Sequence, residues 1–342
     1  MKTVKNIKVP TGNILIVDGE RGNLEMLSLG DYGKDVNVKC DALGLSRDIE
    51  NVKHTTMLPL EEKWVITIST QYGCSMGCKF CDVPKVGPGK NATEKDLINQ
   101  VLTGIKLHPD IEFTKRLNIH YARMGEPTWN PAVLDATKWF KTHIDPEYRI
   151  HPVVSTMMPR KNEWLKTFIH TWIRIKNRLL RGEAGLQLSI NSTDENQRNY
   201  MFNGNCHTLE NISRIMEGCI PNGRKITLNF AIAEYEIDPI ILLKYFDPDY
   251  YIVKLTPMHK TNEAIVNGIE TIGDYTTYHP YKYHEEELKK AGYDVLVFIA
   301  SEYEDLGRIT CGNAILSGLL PDCPYTETVE SVCGSFGAKS EP

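Results

Sequence analysis

The chain has 342 residues, of which 41% are hydrophobic and 24% are charged, and its formal net charge is −5. This composition is ordinary for a globular protein with one large domain and a small extra module. The negative charge argues against a broad nucleic-acid-binding surface. No apolar run approaches the roughly 20 residues of a membrane span, and nothing near Met1 is typical of a secretory signal. We therefore expect no membrane partner.

The cysteine content bears on the compartment. Nine cysteines is an odd number, and their spacing is not that of a disulfide scaffold. A chain of this length can build a hydrophobic core without disulfide staples. The cysteines therefore predict a reducing, cytoplasmic compartment.

The N-terminal stretch is predicted to be a small β-rich module. Strand-forming residues at 13–17 and 24–29 flank a turn at 18–22, which is the pattern of a hairpin. Nothing in this stretch carries an obvious chemistry. The predicted domains are this module, a main domain and a C-terminal extension, at 1–60, 61–318 and 319–342.

Three cysteines in one short loop follow the first predicted strand of the main domain, at 64–69. Three residues separate Cys74 from Cys78, and two separate Cys78 from Cys81. Thiolates packed this tightly on a flexible turn can all face one point and bind one metal centre. The loop has the sequence Gln71-Tyr72-Gly73-Cys74-Ser75-Met76-Gly77-Cys78-Lys79-Phe80-Cys81.

The number of cysteines distinguishes the candidate metal centres. A structural zinc site needs a fourth ligand, and neither His54 nor His108, the nearest histidines, has finger-like spacing. Three cysteines suit a four-iron cluster better, because they leave one iron open to bind something else. A zinc site and an accidental clustering of cysteines are the alternatives.

Strands and helices alternate along the main domain. This alternation implies parallel strands joined by right-handed crossovers. We therefore predict an α/β fold, a partial (βα)6 TIM-like barrel, whose active site lies at the C-terminal ends of the strands together with the cysteine loop. The predicted strands are 64–69, 116–122, 149–155, 185–191, 225–232, 250–256 and 294–300. The predicted helices are near 93–107, 131–142, 161–180, 207–217, 238–246 and 282–291.

Polar residues follow several of these strands. Glu126 lies in a Gly-Glu-Pro turn after the second strand, where its carboxylate would pair with a positively charged amino group. The alternative is a turn with a solvated glutamate. Hydroxyl and amide groups at later strand ends could hold a ribose or an adenine edge, although such residues are also common in turns and caps. They belong to Ser155, Thr156, Ser189, Asn191, Thr256 and His259.

Taken together, these segments resemble the radical S-adenosylmethionine (SAM) superfamily and, within it, the RlmN/Cfr family of RNA methyltransferases. The cysteine loop is similar to the superfamily signature, and Met124-Gly125-Glu126-Pro127 is similar to a motif of this branch. Weaker similarities keep the family's order between residues 56 and 318. They are Ser155-Thr156, Ser189-Ile190-Asn191, Leu255-Thr256-Pro257-Met258-His259 and Thr310-Cys311-Gly312.

The resemblance implies a [4Fe-4S] cluster on Cys74, Cys78 and Cys81, with SAM bound at the open iron. It also implies that Cys311 is a methyl-carrying cysteine, which one SAM methylates and a radical from a second SAM activates. A one-electron donor such as flavodoxin or ferredoxin would supply the electron. The implied SAM ligands are Glu126 for the amino group, Ser155, Ser189 and Asn191 for the carboxylate or ribose, and His259 for the nucleoside.

The sequence departs from the family in three places. Thr67 stands where the family has the second cysteine, which resolves the covalent adduct with the substrate. The first 60 residues are too short for both the family's approach hairpin and its N-terminal RNA-binding module. An extension after Cys311 carries Cys323 and Cys333, and Val332-Cys333-Gly334 is a rival match for the family's terminal cysteine.

The predicted function is an RlmN/Cfr-like methyltransferase whose methyl-carrying cysteine is Cys311 or Cys333, acting on RNA or on a small molecule. An alternative keeps the cleavage of SAM but uses the 5′-deoxyadenosyl radical to abstract hydrogen from a small molecule, a nucleotide or a peptide. A third hypothesis is a non-catalytic iron–sulfur or zinc protein.

Overall fold

The computed structural model describes residues 1–9, 11–34, 54–272, 277–322 and 327–329. Its strands are β1 (Lys2–Val9), β2 (Gly12–Gly19), β3 (Gly22–Leu29), β4 (Tyr32–Lys34), β5 (His54–Met57), β6 (Trp64–Ile68), β7 (Gln71–Gly73), β8 (Pro88–Asn91), β9 (Leu117–Tyr121), β10 (Ile150–Thr156), β11 (Gly185–Ser189), β12 (Ile226–Ile232), β13 (Tyr251–Pro257), β14 (Asp294–Val297) and β15 (Glu327–Val329).

One mixed sheet contains eleven of the strands in these described residues, in the order β14-β13-β12-β11-β10-β9-β6-β3-β2-β1-β15. The seven strands from β14 to β6 run parallel to one another. They match the seven predicted strands to within two residues at each end, except that β14 ends at Val297 rather than at residue 300. The sheet stays open in the described part of the chain, with β14 and β15 at its edges. The prediction of an α/β fold with an incomplete barrel is confirmed.

The N-terminal strands extend the same sheet. β2 and β3 form the predicted hairpin, and β3 pairs antiparallel with β6, placing Leu27 opposite Thr67. β1 pairs with β2 on one side and with β15 on the other. The N-terminal residues are therefore continuous with the main sheet through backbone hydrogen bonds, while the division of the chain at residue 60 stays a prediction.

Helices cover one face of the parallel strands. The helices among the described residues are α1 (Glu94–Lys106), α2 (Ala132–His143), α3 (Leu165–Arg174), α4 (Glu195–Met201), α5 (Leu209–Met216), α6 (Pro239–Leu243), α7 (Asn262–Val266), α8 (His279–Lys290) and α9 (Glu302–Leu306). Thr93 is the N-cap of α1 and forms a capping box with Asp96, which satisfies backbone N–H groups that the first helical turn leaves unpaired.

Side-chain contacts show which face of the sheet the helices cover. Gly104 of α1 lies so close to Ile66 that an added Cβ would meet the Ile66 Cδ1 atom at 2.8 Å. Tyr121 of β9 reaches α2 through its hydroxyl, 2.6 Å from the Thr137 hydroxyl, and it packs edge-on against Trp172 of α3. Because side chains alternate along a strand, the residues between these apolar positions face the other side of the sheet.

The face of the parallel strands opposite the helices carries polar residues. The strand register sets Thr67 beside His120, and Ser155 beside Gln187, two residues before Ser189. All five side chains lie on the face opposite the helices. No helix among the described residues has both the length and the apolarity needed to cross a bilayer.

Candidate functional site

The cysteine loop begins as a short hairpin at the C-terminal end of β6. β7 pairs antiparallel with β8, and the Cys74 N–H donates to the Gly87 carbonyl at 3.1 Å. Gly73 has a φ of +83°, and a Cβ on it would lie 2.2 Å from the Gly87 oxygen. Only glycine fits this turn, because any side chain would collide with fixed backbone. The turn therefore sets where Cys74 leaves the sheet.

Three neighbouring segments hold the rest of the loop. The Lys79 N–H donates to the Met201 carbonyl at 2.9 Å, and the Asp82 N–H donates to the Gly312 carbonyl at 2.8 Å. The Thr261 hydroxyl donates to the Phe80 carbonyl at 2.9 Å. These bonds bring together the loops that follow β6, β11 and β13 and the chain around Cys311.

The three thiols are buried to different degrees. Cys78 is buried, while Cys74 and Cys81 are half-buried. Burial raises the pKa of Cys74 to about 11, and it also raises the pKa of Cys78 and Cys81. The Cys78 thiol lies 3.1 Å from the Met157 thioether sulfur. Thiols in such surroundings become thiolates only when positive charge is placed beside them.

Glu126 lies at the same end of the sheet and is 2% exposed. One carboxylate oxygen accepts from the Thr128 N–H at 3.1 Å and the Thr128 hydroxyl at 2.8 Å; the other accepts from the Met157 N–H at 2.9 Å. Burial raises the pKa of Glu126, although these donors oppose the shift. Across the described residues, no lysine, arginine or histidine is ion-paired with this carboxylate.

Gln71 couples the cysteine loop to the Glu126 turn. Its amide oxygen accepts from the Glu126 N–H at 3.1 Å and from the Ser75 hydroxyl at 2.9 Å. Its amide nitrogen donates to the Asn91 side chain at 2.9 Å. Gly125, with a φ of +94°, packs directly on Gln71, so a Cβ there would lie 2.6 Å from the Gln71 Cβ. The carboxylate and the thiols are therefore fixed relative to one another.

These residues fit a metal cluster with a cationic cosubstrate. The three thiols are free, and positive metal charge would stabilise their thiolates. A buried carboxylate without a cationic partner is costly, and an ammonium group would pair with it. No group of three or more His, Cys, Asp or Glu side chains among the described residues is close enough to hold a single metal ion.

The predicted nucleoside ligands are less uniform. Ser155 and Ser189 lie on the polar face near the C-terminal ends of β10 and β11. Asn191 is buried with a φ of +61°, and its side-chain oxygen already accepts from the Ala231 N–H at 3.1 Å. In this structure Asn191 therefore ties the loop after β11 to β12 through that oxygen.

His259 is connected to the chain that precedes Cys311. Its Nδ1 atom lies 2.9 Å from Oδ1 of Asp305, and the same carboxylate accepts from the Thr310 hydroxyl and from the Lys260 N–H. His259 is half-buried, whereas Cys311 is exposed. The geometry thus brings the predicted nucleoside ligand and the predicted methyl carrier to one side of the cysteine loop.

Cys311 stands next to the cysteine loop without being part of it. Gly312 has a φ of +87° and packs on the cysteine loop. A Cβ on it would lie 3.0 Å from the Phe80 carbonyl oxygen and 3.7 Å from the Cys81 Cα. The other predicted methyl carrier, Cys333, lies outside the described residues.

A buried ion pair fixes the chain on both sides of Cys311. Glu25 of β3 is 0% exposed and bonds to Arg123, whose Nε lies 2.8 Å from the carboxylate. Glu25 also accepts from the backbone N–H groups of Ile315 and Leu316, at 3.2 and 3.1 Å. Arg123 donates in turn to the carbonyl of Arg308 at 2.7 Å.

Sequence reasoning missed this pair and the Gln71 bridge. The sequence did contain a signal for Glu25. It is a charged residue between Leu24 and Met26 in an apolar strand, and a buried charge needs a partner. The position of Cys206 was also not predicted. It packs in the same apolar cluster as Cys78 and Phe202.

No protein-family model matches the chain. Its sequence is similar to the dual-specificity RNA methyltransferase RlmN of Campylobacter lari, with 31% identity over 134 residues, which cover 38% of this chain and 32% of that protein. It is also similar to the RlmN of Aliarcobacter butzleri, with 45% identity over 69 residues, covering 20% and 19% of the two chains. The chain thus spans about a third or less of the length of these relatives.

The fold is similar to that of a radical SAM methyltransferase from Sphaerobacter thermophilus, with a TM-score of 0.63 and 17% identity. The match covers 91% of this chain and 80% of the other. The partial barrel therefore has the same overall fold as that structure. The resemblance of the sequence to the RlmN/Cfr branch is confirmed by the sequence matches.

Proposed function

We propose that this chain, similar in sequence to RlmN and in fold to a radical SAM methyltransferase, is a radical SAM enzyme. It would hold a [4Fe-4S] cluster through Cys74, Cys78 and Cys81 and cleave SAM reductively. One observation carries this proposal: three free thiols lie at the C-terminal end of the parallel strands together with a buried carboxylate that has no cationic partner among the described residues. That combination suits a cationic metal group and an ammonium-bearing cosubstrate better than it suits water.

In this proposal each residue has a defined task. The three thiolates hold the cluster. The buried carboxylate of Glu126 binds the positively charged amino group of SAM. Ser155 and Ser189 offer hydroxyl groups on the polar face for the carboxylate or ribose. When bound and reduced, the cluster and SAM would supply a 5′-deoxyadenosyl radical.

The proposed reaction class is methyl transfer of the RlmN/Cfr kind. The sequence relatives support this class, as does the position of Cys311, whose neighbour Gly312 packs on the cysteine loop. The Cys311 thiolate would take a methyl group from SAM by displacement, with S-adenosylhomocysteine as the leaving group, and then present it to the substrate. Cys333 is the second candidate for this role. The substrate would be RNA or a small molecule.

A second candidate function keeps the radical but transfers no methyl group. Thr67 favours it, because it occupies the position of the family's resolving cysteine on β6, beside His120 on the polar face. A threonine hydroxyl cannot serve as a thiolate or form a disulfide. In this alternative the radical abstracts hydrogen from a small molecule, a nucleotide or a peptide.

Anaerobic loading with iron and sulfide tests the cluster. We expect about four irons per chain and 5′-deoxyadenosine on addition of SAM and dithionite. Cys78→Ala should lose most of the iron, whereas Cys219→Ala, a buried cysteine between α5 and β12, should keep it. A wild-type protein without iron, or a Cys78→Ala variant with unchanged iron and unchanged SAM cleavage, would refute the proposal.

Labelling separates the two candidate functions. SAM with an isotopically labelled methyl group should label Cys311 or Cys333, detected by mass spectrometry of tryptic peptides. If neither thiol carries label, and 5′-deoxyadenosine still forms in a Cys311→Ala/Cys333→Ala double variant, the methyl-carrier mechanism is wrong and hydrogen abstraction is favoured.

A further inference from the structure

A charged side chain lies fully buried next to the cysteine loop. Arg198 of α4 is 0% exposed, although arginines are rarely buried in full unless a partner offsets their charge. The guanidinium donates to two backbone carbonyls, that of Ile190 and, at 3.1 Å, that of His207. Both acceptors are neutral, so these hydrogen bonds satisfy the donors without removing the positive charge.

The carboxylate of Glu195 offsets part of this charge. Its Oε2 atom lies 3.8 Å from the Arg198 Nε, and the Nε has no hydrogen-bond partner among the described residues. The Glu195 side chain is 45% exposed, whereas the Arg198 side chain is fully buried. Water screens the exposed carboxylate more than the buried guanidinium, so a net positive charge remains on the buried side of the pair.

An aromatic ring connects Arg198 to the cysteine loop. The Arg198 Cζ lies 5.5 Å from the centre of the Phe202 ring, and that ring packs edge-on against Phe80 of the loop, with 5.7 Å between the ring centres. Phe202 also belongs to the buried cluster that contains Cys78, and the other two cysteines of the loop pack against this cluster. A single layer of side chains therefore joins the guanidinium to the thiols.

Cys206 forms a second connection through the same layer. Its thiol lies 3.8 Å from the Arg198 carbonyl oxygen, and it packs in the cluster with Cys78. Phe202 is 0% exposed and Cys206 is 8% exposed, so little water reaches the space between Arg198 and the cysteine loop. Charges interact more strongly across such a medium than across water.

We infer that Arg198 raises the reduction potential of the cluster held by Cys74, Cys78 and Cys81. The inference rests on the proposed function. The negative charges of the three thiolates outweigh the positive charge of an oxidised four-iron core, and reduction adds one electron. A buried cation nearby therefore stabilises the reduced state more than the oxidised state. Arg198 would thus ease the entry of the electron from a one-electron donor.

A redox titration of the iron-loaded protein without SAM tests this role, with the reduced cluster measured by electron paramagnetic resonance. We expect Arg198→Gln to lower the midpoint potential, so that the equilibrium constant for reduction by a fixed donor falls about tenfold. Arg198→Lys keeps a positive charge and should stay close to the wild type. The matched control is Arg214→Gln on α5. Arg214 also has a glutamate neighbour, Glu210 at 2.5 Å, but its side chain is 69% exposed, so its loss should leave the potential unchanged.

Glu195→Gln separates the charge from the hydrogen bonds of Arg198. The glutamine can still accept from the Leu209 N–H, which lies 2.7 Å from the Glu195 carboxylate, but the charge that opposes Arg198 is gone. The midpoint potential should therefore rise, opposite in sign to the effect of Arg198→Gln. A purely structural role of Arg198 gives no reason for opposite shifts.

The iron content distinguishes the outcomes. An Arg198→Gln variant with full iron content and the wild-type potential would overturn the inference, as would shifts of the same sign in Arg198→Gln and Glu195→Gln. If both Arg198 variants lose iron, Glu195→Gln decides, and a potential that does not rise in it sinks the inference. A wild type that takes up no iron would overturn the proposed function and this inference together, whereas an iron-loaded wild type with unchanged potentials in all variants overturns this inference alone.

Discussion

Glu25 and Arg123 are 98 residues apart in the sequence, yet the Arg123 Nε lies 2.8 Å from the Glu25 carboxylate in a fully buried ion pair. The pair joins the N-terminal hairpin, the turn before Glu126 and the chain around Cys311. Removing one partner of a buried pair costs about 3–5 kcal/mol, because the other charge is left buried alone. We expect Arg123→Met to lower the free energy of unfolding by about this amount, measured by urea denaturation.

The double variant Glu25→Gln/Arg123→Met is the control for this effect. It leaves no buried charge, so it should recover a large part of the lost stability. In the single Arg123→Met variant, the amides of residues 308–316 should exchange hydrogen faster than in the wild type. A single variant as stable as the wild type would contradict a structural role for the pair.

A second prediction concerns Gly125, which has a left-handed backbone and no room for a Cβ beside Gln71. Gly125→Ala should therefore be destabilised by strain and by collision with Gln71. Gly218 has a φ of +77° and nothing within 4 Å of the position that a Cβ would take. Gly218→Ala should therefore lower the free energy of unfolding only by the backbone strain, about 1–2 kcal/mol. Thermal unfolding of both variants gives the comparison, and equal losses would contradict the tight packing on Gln71.

A third prediction concerns the charge of Glu126. Glu126→Gln keeps the size of the side chain but removes the charge that would pair with the SAM amino group. We expect SAM affinity to fall about tenfold or more, equivalent to about 1.4 kcal/mol, with the iron content unchanged. Equilibrium dialysis with labelled SAM on the iron-loaded protein measures this, and undiminished affinity would remove Glu126 from the proposed site.

A fourth prediction concerns pH. Burial, with the positive charges of Lys254 and Arg224, lowers the pKa of His120 from 6.5 to about 3. Between these values the unfolded chain binds a proton at His120 and the folded chain does not. Stability contributed by the neutral ring is therefore present above pH 6.5 and is lost as the pH falls, by up to about 1.4 kcal/mol per pH unit.

Urea denaturation from pH 4.5 to 7 tests this sign. We expect His120→Gln to flatten the dependence of unfolding free energy on pH, and Gln187→Ala, a change on the same face without a titrating group, to leave it unaltered. A His120→Gln variant with the wild-type slope would show that the ring titrates normally in the folded protein.

Much of the fold follows from local sequence signals. The seven parallel strands are apolar runs with turn residues after them, and α1 starts at Glu94 because the hydroxyl of Thr93, the residue before it, caps the helix. The prediction extended β14 to residue 300 because the apolar run continues that far. In the structure the strand ends three residues earlier, at Val297. Local patterns indicate where a strand is, but hydrogen-bond partners decide where it stops.

The site was predictable only in part. The spacing of Cys74, Cys78 and Cys81 is a local signal, and so is the strand-end position of Glu126. The Gln71 bridge and the Arg123 contact join residues that are 55 and 98 positions apart in the chain, and one sequence cannot pair such distant segments. For Asn191 the sequence predicted a ligand contact, but its side-chain oxygen accepts a hydrogen bond from a backbone N–H. No sequence motif reveals that hydrogen bond.

The pairing of β1 with β15 has a practical consequence for truncated forms of the protein. A chain that stops before residue 327 would leave the outer edge of β1 without a partner, and bare edges recruit strands from other molecules. Lys2, Lys5 and Lys8 lie along this strand, and edge lysines discourage such pairing. Shortened forms should therefore stay dispersed at low ionic strength and self-associate when salt screens the lysine charges.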